Sequence, residues 1–328
     1  MSRRSLLGAA LVLVTLAAPP PAGASCGSDD CPLSMHSLNG ASRFSFSAAY
    51  QFIDQDEVWV GSKQGTVGEP PSPEDEVRTR TSTVLLTGQM AVNSRLSLSA
   101  TLPYMDRMHQ HIANEQGLPP QPFEWDYSGL GDLMIMGQWR ALGGQDARAT
   151  SLSLQLGIKL PTGRTEVEPV DGQQPEPPAR PGTGSVDGVA GFHVGRGIGA
   201  ATGPGGAEGA SVFLDLLGRV NGHGTDDYRV GNELQVTVGT GVPATRTLRL
   251  IGRVDARWRA KDDVGTTDAL PDNTGGTFAY VTPGAELRLG SVLTAYGYVQ
   301  VAAYRHVPRI EITAPYHLLT GLRWSLGI

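Results

Sequence analysis

The segment SLSLQLGIKL at residues 151–160 alternates polar or small residues with large apolar ones. A period of two places the apolar side chains on one face of a β-strand and the polar side chains on the other. Similar segments recur along the chain, and we identify about twelve of them, within the range of bacterial outer-membrane barrels. The sequence therefore predicts an all-β fold, a transmembrane antiparallel barrel with lipid outside and water inside.

The connectors between the predicted strands alternate in length. Short ones lie near 92–94, 143–146, 240–243 and 290–291, and long ones at 54–76, 105–126, 161–184 and 260–276 are rich in Pro, Gly and acidic residues. Short periplasmic turns and long extracellular loops are typical of outer-membrane barrels. The predicted strand cores are 41–53, 77–91, 95–104, 127–140, 149–160, 185–197, 210–221, 228–240, 246–259, 277–289, 292–304 and 315–328.

The first residues have the pattern of a secretory signal peptide. Arg3 and Arg4 precede an apolar run at 6–18, and small residues before Ser25 form a cleavage site. Export and a barrel pattern together predict the bacterial outer membrane. We therefore divide the chain into a signal peptide (1–24), a periplasmic N-terminal segment (25–40) and the barrel (41–328).

Composition excludes some classes of function. The net charge of −6 argues against a general nucleic-acid-binding protein. The mean hydropathy is −0.16, as expected when every second residue of a transmembrane strand is polar. The sequence contains no H-E-x-x-H or phosphate-loop motif, and we expect neither an enzyme nor a cofactor.

Both cysteines lie just after the predicted cleavage site. Cys26 and Cys31 are candidates for a disulfide in an oxidising periplasm. Lipidation of Cys26, or a metal site that includes His36, is the alternative. This segment is where we expect a periplasmic protein partner, if the barrel has one.

Aromatic residues fall at the ends of the predicted strands and share the parity of the apolar face. Two girdles of aromatic side chains at the membrane interfaces are a known feature of outer-membrane barrels. The members of the two predicted girdles are Tyr50, Phe52, Tyr104, Tyr127, Trp139, Trp258, Tyr316 and Trp324.

Charged residues occupy the opposite parity and are predicted to line the lumen. The strand at 246–259 carries Arg249, Arg253, Asp255, Arg257 and Arg259 on one face, and an arginine facing lipid would cost about 2–4 kcal/mol at mid-membrane. Such a ladder either guides anions through a pore or forms an internal ion-pair network that stiffens or blocks the barrel. The predicted lumen-lining residues are Asp132, Arg140, Lys159, Asp215, Arg219, Arg249, Arg253, Asp255, Arg257, Glu286, Arg288 and Arg323.

A His-x-His sequence lies in the second long connector. His109 and His111 could share a metal ion, with Met105 and Met108 adding sulfur ligands for Cu(I). A solvated loop without metal explains the same residues, and we predict no metal site.

Three short motifs resemble a known group of proteins. They are YSGLGDL at 127–133, GIKLPTG at 157–163 and PGTGS at 181–185. Together they resemble outer-membrane barrels assigned as transporters, including the MetA-pathway phenol-degradation family. The resemblance implies an outer-membrane barrel that acts as a channel for small molecules, and it supplies no catalytic residues.

The residues and the resemblance support one leading hypothesis and several alternatives. The leading hypothesis is a passive channel, surrounded by outer-membrane lipid, for small solutes such as anions or small aromatic acids. The first alternative is an accessory barrel with a blocked lumen that binds a periplasmic metal or redox partner. A soluble exported β-sandwich and a membrane-embedded esterase are the remaining alternatives.

Overall fold

The structure is a computed structural model that describes residues 43–71, 74–114, 119–143, 149–170, 174–198, 209–267 and 269–326. The predicted signal peptide, Cys26, Cys31 and His36 lie outside the described residues. Among the described residues no helix is long and apolar enough to cross a membrane. The strands are β1 (Phe44–Gln55), β2 (Glu57–Val60), β3 (Lys63–Gln64), β4 (Glu74–Ala91), β5 (Leu96–Ala113), β6 (Gln121–Leu130), β7 (Leu133–Leu142), β8 (Ser151–Leu160), β9 (Asp187–Ile198), β10 (Ala210–Val220), β11 (Glu233–Pro243), β12 (Leu248–Arg259), β13 (Gly276–Arg288), β14 (Leu293–His306), β15 (Ile310–Thr313) and β16 (Tyr316–Leu326).

Thirteen of these strands form one antiparallel sheet that closes on itself. Strand β1 pairs with β16 on one side and β4 on the other, and β4 pairs with β5, which completes the ring. Strand β7 pairs with the first part of β5 and β6 pairs with its second part, so β6 and β7 together occupy one strand position in the ring. The described residues therefore form a closed barrel of twelve strand positions, which confirms the predicted fold and excludes the soluble β-sandwich.

The break between β6 and β7 changes which parity faces the lumen. Odd-numbered residues of β6 face inward, whereas even-numbered residues of β7 do so, because Gly131 and Asp132 interrupt the strand. The prediction that Tyr127 faces outward is therefore wrong: its side chain is buried. The prediction of one continuous strand at 127–140 is wrong for the same reason.

One side of the barrel extends beyond the membrane. Strands β4 and β5 have 18 residues each, whereas a transmembrane strand needs roughly 9–11. In β5 the outward side chains are apolar as far as Tyr104, and Asp106 is the first charged one, where the extracellular part begins. The prediction of a loop at 105–126 is therefore wrong for most of that range, because β5 continues to Ala113 and β6 begins at Gln121.

Short turns on the periplasmic side are held by side-chain oxygens. In the β4–β5 turn, Oδ1 of Asn93 accepts hydrogen bonds from the backbone N–H groups of Arg95 (2.8 Å) and Leu96 (2.9 Å). In the β11–β12 turn, Oγ1 of Thr245 accepts one from the N–H of Leu248 at 2.9 Å. These local bonds fix the turn and hence the register of the hairpins.

The outer surface of the barrel is an apolar belt. Seven of the eight aromatics predicted for the girdles, all except Tyr127, face outward. A closed barrel with an apolar exterior is a structure of the bacterial outer membrane, as the sequence predicted. Large exposed members of the belt include Leu98, Leu154, Leu156, Val238, Val254 and Leu322.

A small sheet covers part of the outer end of the barrel. Strands β15, β2 and β3 form it, and the sequence analysis did not predict it. Its inner side is anchored to lumenal groups: Arg305 Nη1 lies 2.7 Å from Glu57, and Arg259 lies 3.9 Å from Glu311. Because Glu311 is 3% exposed, the small sheet closes this part of the extracellular mouth.

Candidate functional site

The lumenal face of β12 carries a ladder of buried charges. Arg253, Asp255 and Arg257 are 4%, 2% and 3% exposed, and Val254 and Ala256 between them face lipid. Asp255 accepts hydrogen bonds from the hydroxyl groups of Thr237 on β11 and Thr282 on β13, at 2.7 and 2.6 Å. The carboxylate thus connects three strands of the wall.

The guanidinium groups of this wall lie over aromatic rings of β13 and β14. The Arg257 guanidinium carbon is 4.8 Å from the centre of the Phe278 ring, and that of Arg253 is 5.4 Å from Tyr298. Arg323 on β16 lies 5.3 Å from the ring of Tyr296. We call Arg253, Arg257, Phe278, Tyr296, Tyr298 and Arg323 the cationic wall.

Cross-strand glycines let the tyrosines of the cationic wall lie close to the sheet. A Cβ atom added at Gly284 would lie 2.1 Å from Cδ1 of Tyr298, and one at Gly321 would lie 2.6 Å from Cζ of Tyr296. The Tyr298 hydroxyl then donates to Glu286 at 2.9 Å, and Glu286 lies 3.7 Å from Arg323. The glycines therefore decide how far these rings project into the lumen.

A second buried cluster joins the three motifs singled out in the sequence. The Lys159 ammonium lies 2.9 Å from Asp132 and 2.8 Å from Asp187, and it also donates to Thr183 and to Ser185 (3.0 Å). We call these residues the lysine cluster. It ties β8 and β9 to the point where β6 and β7 break.

Asp132 also holds the segment that follows β8. Its Oδ1 accepts the backbone N–H of Gly163 at 2.9 Å, and its Oδ2 accepts the N–H of Thr183 at 3.0 Å. The backbone packs so closely here that a Cβ at Gly163 would lie 2.7 Å from Cα of Gly182. The motif residues therefore act together to close the wall, and the ionic partner of Asp132 is Lys159.

The other predicted lumen residues fall into smaller groups. Asp215 is buried and lies 2.8 Å from Nδ1 of His193 on the next strand. Arg249 is half-buried and donates to Ser211 and to the Gly241 carbonyl at 3.2 Å. Of the remaining residues, Arg140 and Arg219 are half-buried and Arg288 is exposed at the end of β13.

A segment of the connector between β8 and β9 folds into the barrel. The short turn Pro177–Ala179 is buried, and the Ala179 carbonyl accepts hydrogen bonds from Arg107 and from the Tyr127 hydroxyl, both at 2.6 Å. Arg180 binds the Pro175 carbonyl at 2.8 Å and lies 3.2 Å from Asp226. This inward segment narrows the outer half of the lumen.

His109 and His111 lie on the inward face of β5, in its extracellular part, and not in a solvated loop. His109 accepts or donates a hydrogen bond with Thr79 at 2.7 Å, and both rings pack on Trp125. Burial lowers the pKa of His109 to about 3 and that of His111 to about 4. Met105 shares this face, whereas Met108 is on the other, and no group of three or more His, Cys, Asp or Glu in the described residues could hold a metal ion.

Several lumenal residues escaped the sequence analysis. Asp187 and His193 lie on the inward parity of β9, so the alternation could have identified them. Arg107 could not be found this way, because polar and apolar residues occur on both faces of β5 at that height. Glu311 lies in the small sheet, for which the sequence has no strong alternation.

Comparison with known proteins identifies the fold. No protein-family model matches the sequence, and no curated protein matches it. An outer-membrane channel from Pseudomonas putida F1 is similar in structure, with a TM-score of 0.59 and 11% identity over 87% of this chain and 96% of that chain. The chain has the fold of an outer-membrane β-barrel.

Two further solved structures are more distant. The transport unit of the autotransporter AIDA-I from Escherichia coli has a TM-score of 0.48 and 13% identity, over 90% of this chain and 94% of that one. A FadL homologue from Pseudomonas aeruginosa has a TM-score of 0.42 and 11% identity, over 87% and 90%. Both TM-scores are below 0.5, so these two structures add no argument to the similarity with the Pseudomonas putida channel.

Proposed function

We propose that the protein is a passive outer-membrane channel for small solutes and that it favours small anions, including small aromatic acids. The cationic wall is the observation that carries this proposal. Guanidinium groups bind carboxylates, and the aromatic rings beside them offer an apolar surface to the rest of the solute. The similar structure from Pseudomonas putida is described as a channel, and we propose the same role here.

The packing of the lumen supports a small solute. A barrel of about twelve strands encloses a narrow interior. The small sheet and the inward segment at Pro177–Ala179 reduce its outer half further, and inward side chains such as Thr282 are fully buried. In this proposal the predicted lumen-lining residues determine which solutes pass, without an enzymatic step.

The resemblance to the MetA-pathway phenol-degradation family belongs to the same proposal. The three motifs that carry it meet in the lysine cluster, so they are coupled by structure and not only by sequence. The division of the N-terminus into a signal peptide and a periplasmic segment is also part of the proposal.

Ion conductance in a planar bilayer, with a salt gradient across it, tests the channel. We expect steady, anion-selective steps from the purified, folded barrel. Replacing Arg253 and Arg257 with Ala should reduce the anion selectivity, because the attraction between the wall and the anion is lost. Arg246→Ala is the matched control, since Arg246 is exposed in a periplasmic turn.

A second candidate function is an accessory barrel with a closed lumen. The burial of the inward side chains and the anchored segment at Pro177–Ala179 favour it. A barrel that is silent in the bilayer but shifts on gel electrophoresis after heating, as folded barrels do, would reject the channel. The N-terminal segment with Cys26 and Cys31 would then be the place to look for a metal or redox partner.

A further inference from the structure

The ion pair between Arg323 of the cationic wall and Glu286 is accessible from the lumen. Both residues lie on the inward faces of their strands, near the periplasmic ends of β16 and β13. Their side chains are 22% and 21% exposed, whereas those of Arg253 and Asp255 on β12 are each 2% exposed. A solute in the periplasmic half of the lumen can therefore reach this pair.

Glu286 is held by a neighbouring hydroxyl group rather than by its ionic partner. Its Oε1 accepts a hydrogen bond from the Tyr298 hydroxyl at 2.9 Å, whereas the same oxygen lies 3.7 Å from Nη2 of Arg323. A charge-assisted hydrogen bond between an arginine and a carboxylate has a length of about 2.7–2.9 Å. Nε of Arg323 also has no hydrogen-bond partner among the described residues. The two charges therefore attract each other without a hydrogen bond.

Arg323 has a second support that is independent of Glu286. Its guanidinium carbon lies 5.3 Å from the centre of the Tyr296 ring, a distance at which the face of a ring attracts a cation. The Tyr296 ring is buried and lies over Gly321, where an added Cβ would be 2.6 Å from Cζ of the ring. A carboxylate that replaced Glu286 would thus meet a guanidinium that is already oriented.

We propose that Glu286 is a built-in competitor for anions, which neutralises Arg323 in the empty lumen and gives way to the carboxylate of an entering solute. A free carboxylate can form two hydrogen bonds with a guanidinium group, and Glu286 forms none with Arg323. The competition lowers the affinity of the site, and conduction requires binding that is weak enough for the anion to leave. This inference rests on the proposed function, because it takes the anion preference of the cationic wall as given and names the residue that tunes it.

Isothermal titration calorimetry of the purified full barrel in detergent measures the competition. The probe is benzoate, and benzyl alcohol is its neutral analogue. Glu286→Gln removes the charge and keeps an oxygen atom for the Tyr298 hydroxyl. We expect this variant to bind benzoate roughly fivefold more tightly than the parent barrel, because a partly exposed ion pair no longer has to be broken. The affinity for benzyl alcohol should not change.

A second variant tests the competition in the opposite direction. Tyr298→Phe removes the hydroxyl that holds Glu286 at a distance from Arg323, so we expect Glu286 to approach the guanidinium and benzoate binding to weaken. Glu233→Gln is the matched control, because Glu233 has the same charge on the inward face of β11 but lies at the extracellular end of that strand. Its affinity for benzoate should equal that of the parent barrel.

The failure of this inference can be distinguished from the failure of the channel. An anion-selective barrel whose benzoate affinity is the same in the parent, Glu286→Gln and Tyr298→Phe would overturn the competitor and leave the channel. A barrel that conducts no ions but binds benzoate more tightly after Glu286→Gln would reject the channel and support the competitor. No saturable benzoate binding to either the parent or Glu286→Gln would also overturn the inference.

Discussion

Lys159 is a buried cation that two carboxylates share. Removing its ammonium leaves Asp132 and Asp187 buried without their ionic partner, and breaking a buried ion pair in this way costs about 3–5 kcal/mol. We therefore expect Lys159→Met to lower the free energy of unfolding by an amount in that range. Urea unfolding in detergent measures it.

The control for Lys159→Met is the same substitution at Lys63, which is exposed in β3. Its effect should stay within about 0.5 kcal/mol. Adding Asp132→Asn and Asp187→Asn to Lys159→Met should recover part of the loss, because the uncompensated charges are gone. Equal unfolding midpoints for the two lysine variants would contradict the assigned role of the lysine cluster.

The extracellular histidines predict a dependence of stability on pH. His109 and His111 have folded pKa values of about 3 and 4, below the ordinary value of 6.5. The unfolded chain therefore takes up protons first as the pH falls, so their contribution to stability is complete above pH 6.5 and is lost as the pH falls towards 4 and 3. The outer part of the barrel should unfold more easily at pH 4.5 than at pH 7.5.

Proteolysis of the folded barrel at the two pH values measures this effect. His111→Phe should reduce the difference, since Nε2 of His111 is buried without a partner among the described residues and the ring packs on Phe123 and Trp125. His223→Gln, a change at an exposed histidine, should leave the difference as it is. A parent barrel with the same protease sensitivity at both pH values would argue against buried neutral histidines.

At the scale of a strand pair, glycine positions fix the aromatic rings of the lumen. Gly284→Ala would place a Cβ 2.1 Å from the Tyr298 ring and force that ring away from the wall. We expect a loss of stability of about 1–3 kcal/mol, as for other overpacked sites, and a smaller conductance if the lumen conducts. Thermal unfolding and bilayer recording measure the two effects.

The matched control for this change is Gly88→Ala on β4. A Cβ at Gly88 meets no atom within 4 Å. Its thermal midpoint and conductance should match those of the parent barrel. If Gly284→Ala behaved like Gly88→Ala, the ring would have room that the structure does not show.

The strands were predictable where the membrane imposes alternation. In β8, leucines meet lipid and Ser153 or Lys159 meets the lumen, so the hydropathy pattern and the strand coincide. In β5 beyond Tyr104 the buried inward face carries polar side chains such as His109, and the outward face mixes polar and apolar ones, so the hydropathy pattern ends although the strand continues. The prediction at 105–126 failed for this physical reason.

The candidate site was predictable only in part for a related reason. The alternation along the strand predicted that Arg253 and Arg257 face the lumen, because an arginine side chain in lipid is costly. The rings beneath them depend on cross-strand register, which a single sequence does not specify. The lysine cluster likewise requires Asp132 and Asp187 to meet across segments that are 55 positions apart in the sequence.

At the scale of the whole molecule, the depth of a residue in the membrane should determine the cost of a charge. Val254 lies outward in the middle of β12, and Val220 lies outward at the end of β10. We expect Val254→Arg to cost about 2–4 kcal/mol and Val220→Arg at most about 1 kcal/mol. Unfolding from lipid bilayers measures both, and equal costs would mean that the membrane lies at a different height.

The order of strands around the ring has an electrical consequence. The lysine cluster, with two carboxylates for one ammonium, lies on β7–β9, across the ring from the guanidinium groups of β12–β16. The lysine cluster and the cationic wall thus have opposite net charges, the first negative and the second positive. A zwitterionic molecule inside this barrel would be turned across the axis, with its carboxylate towards Arg323 and its ammonium towards Asp132.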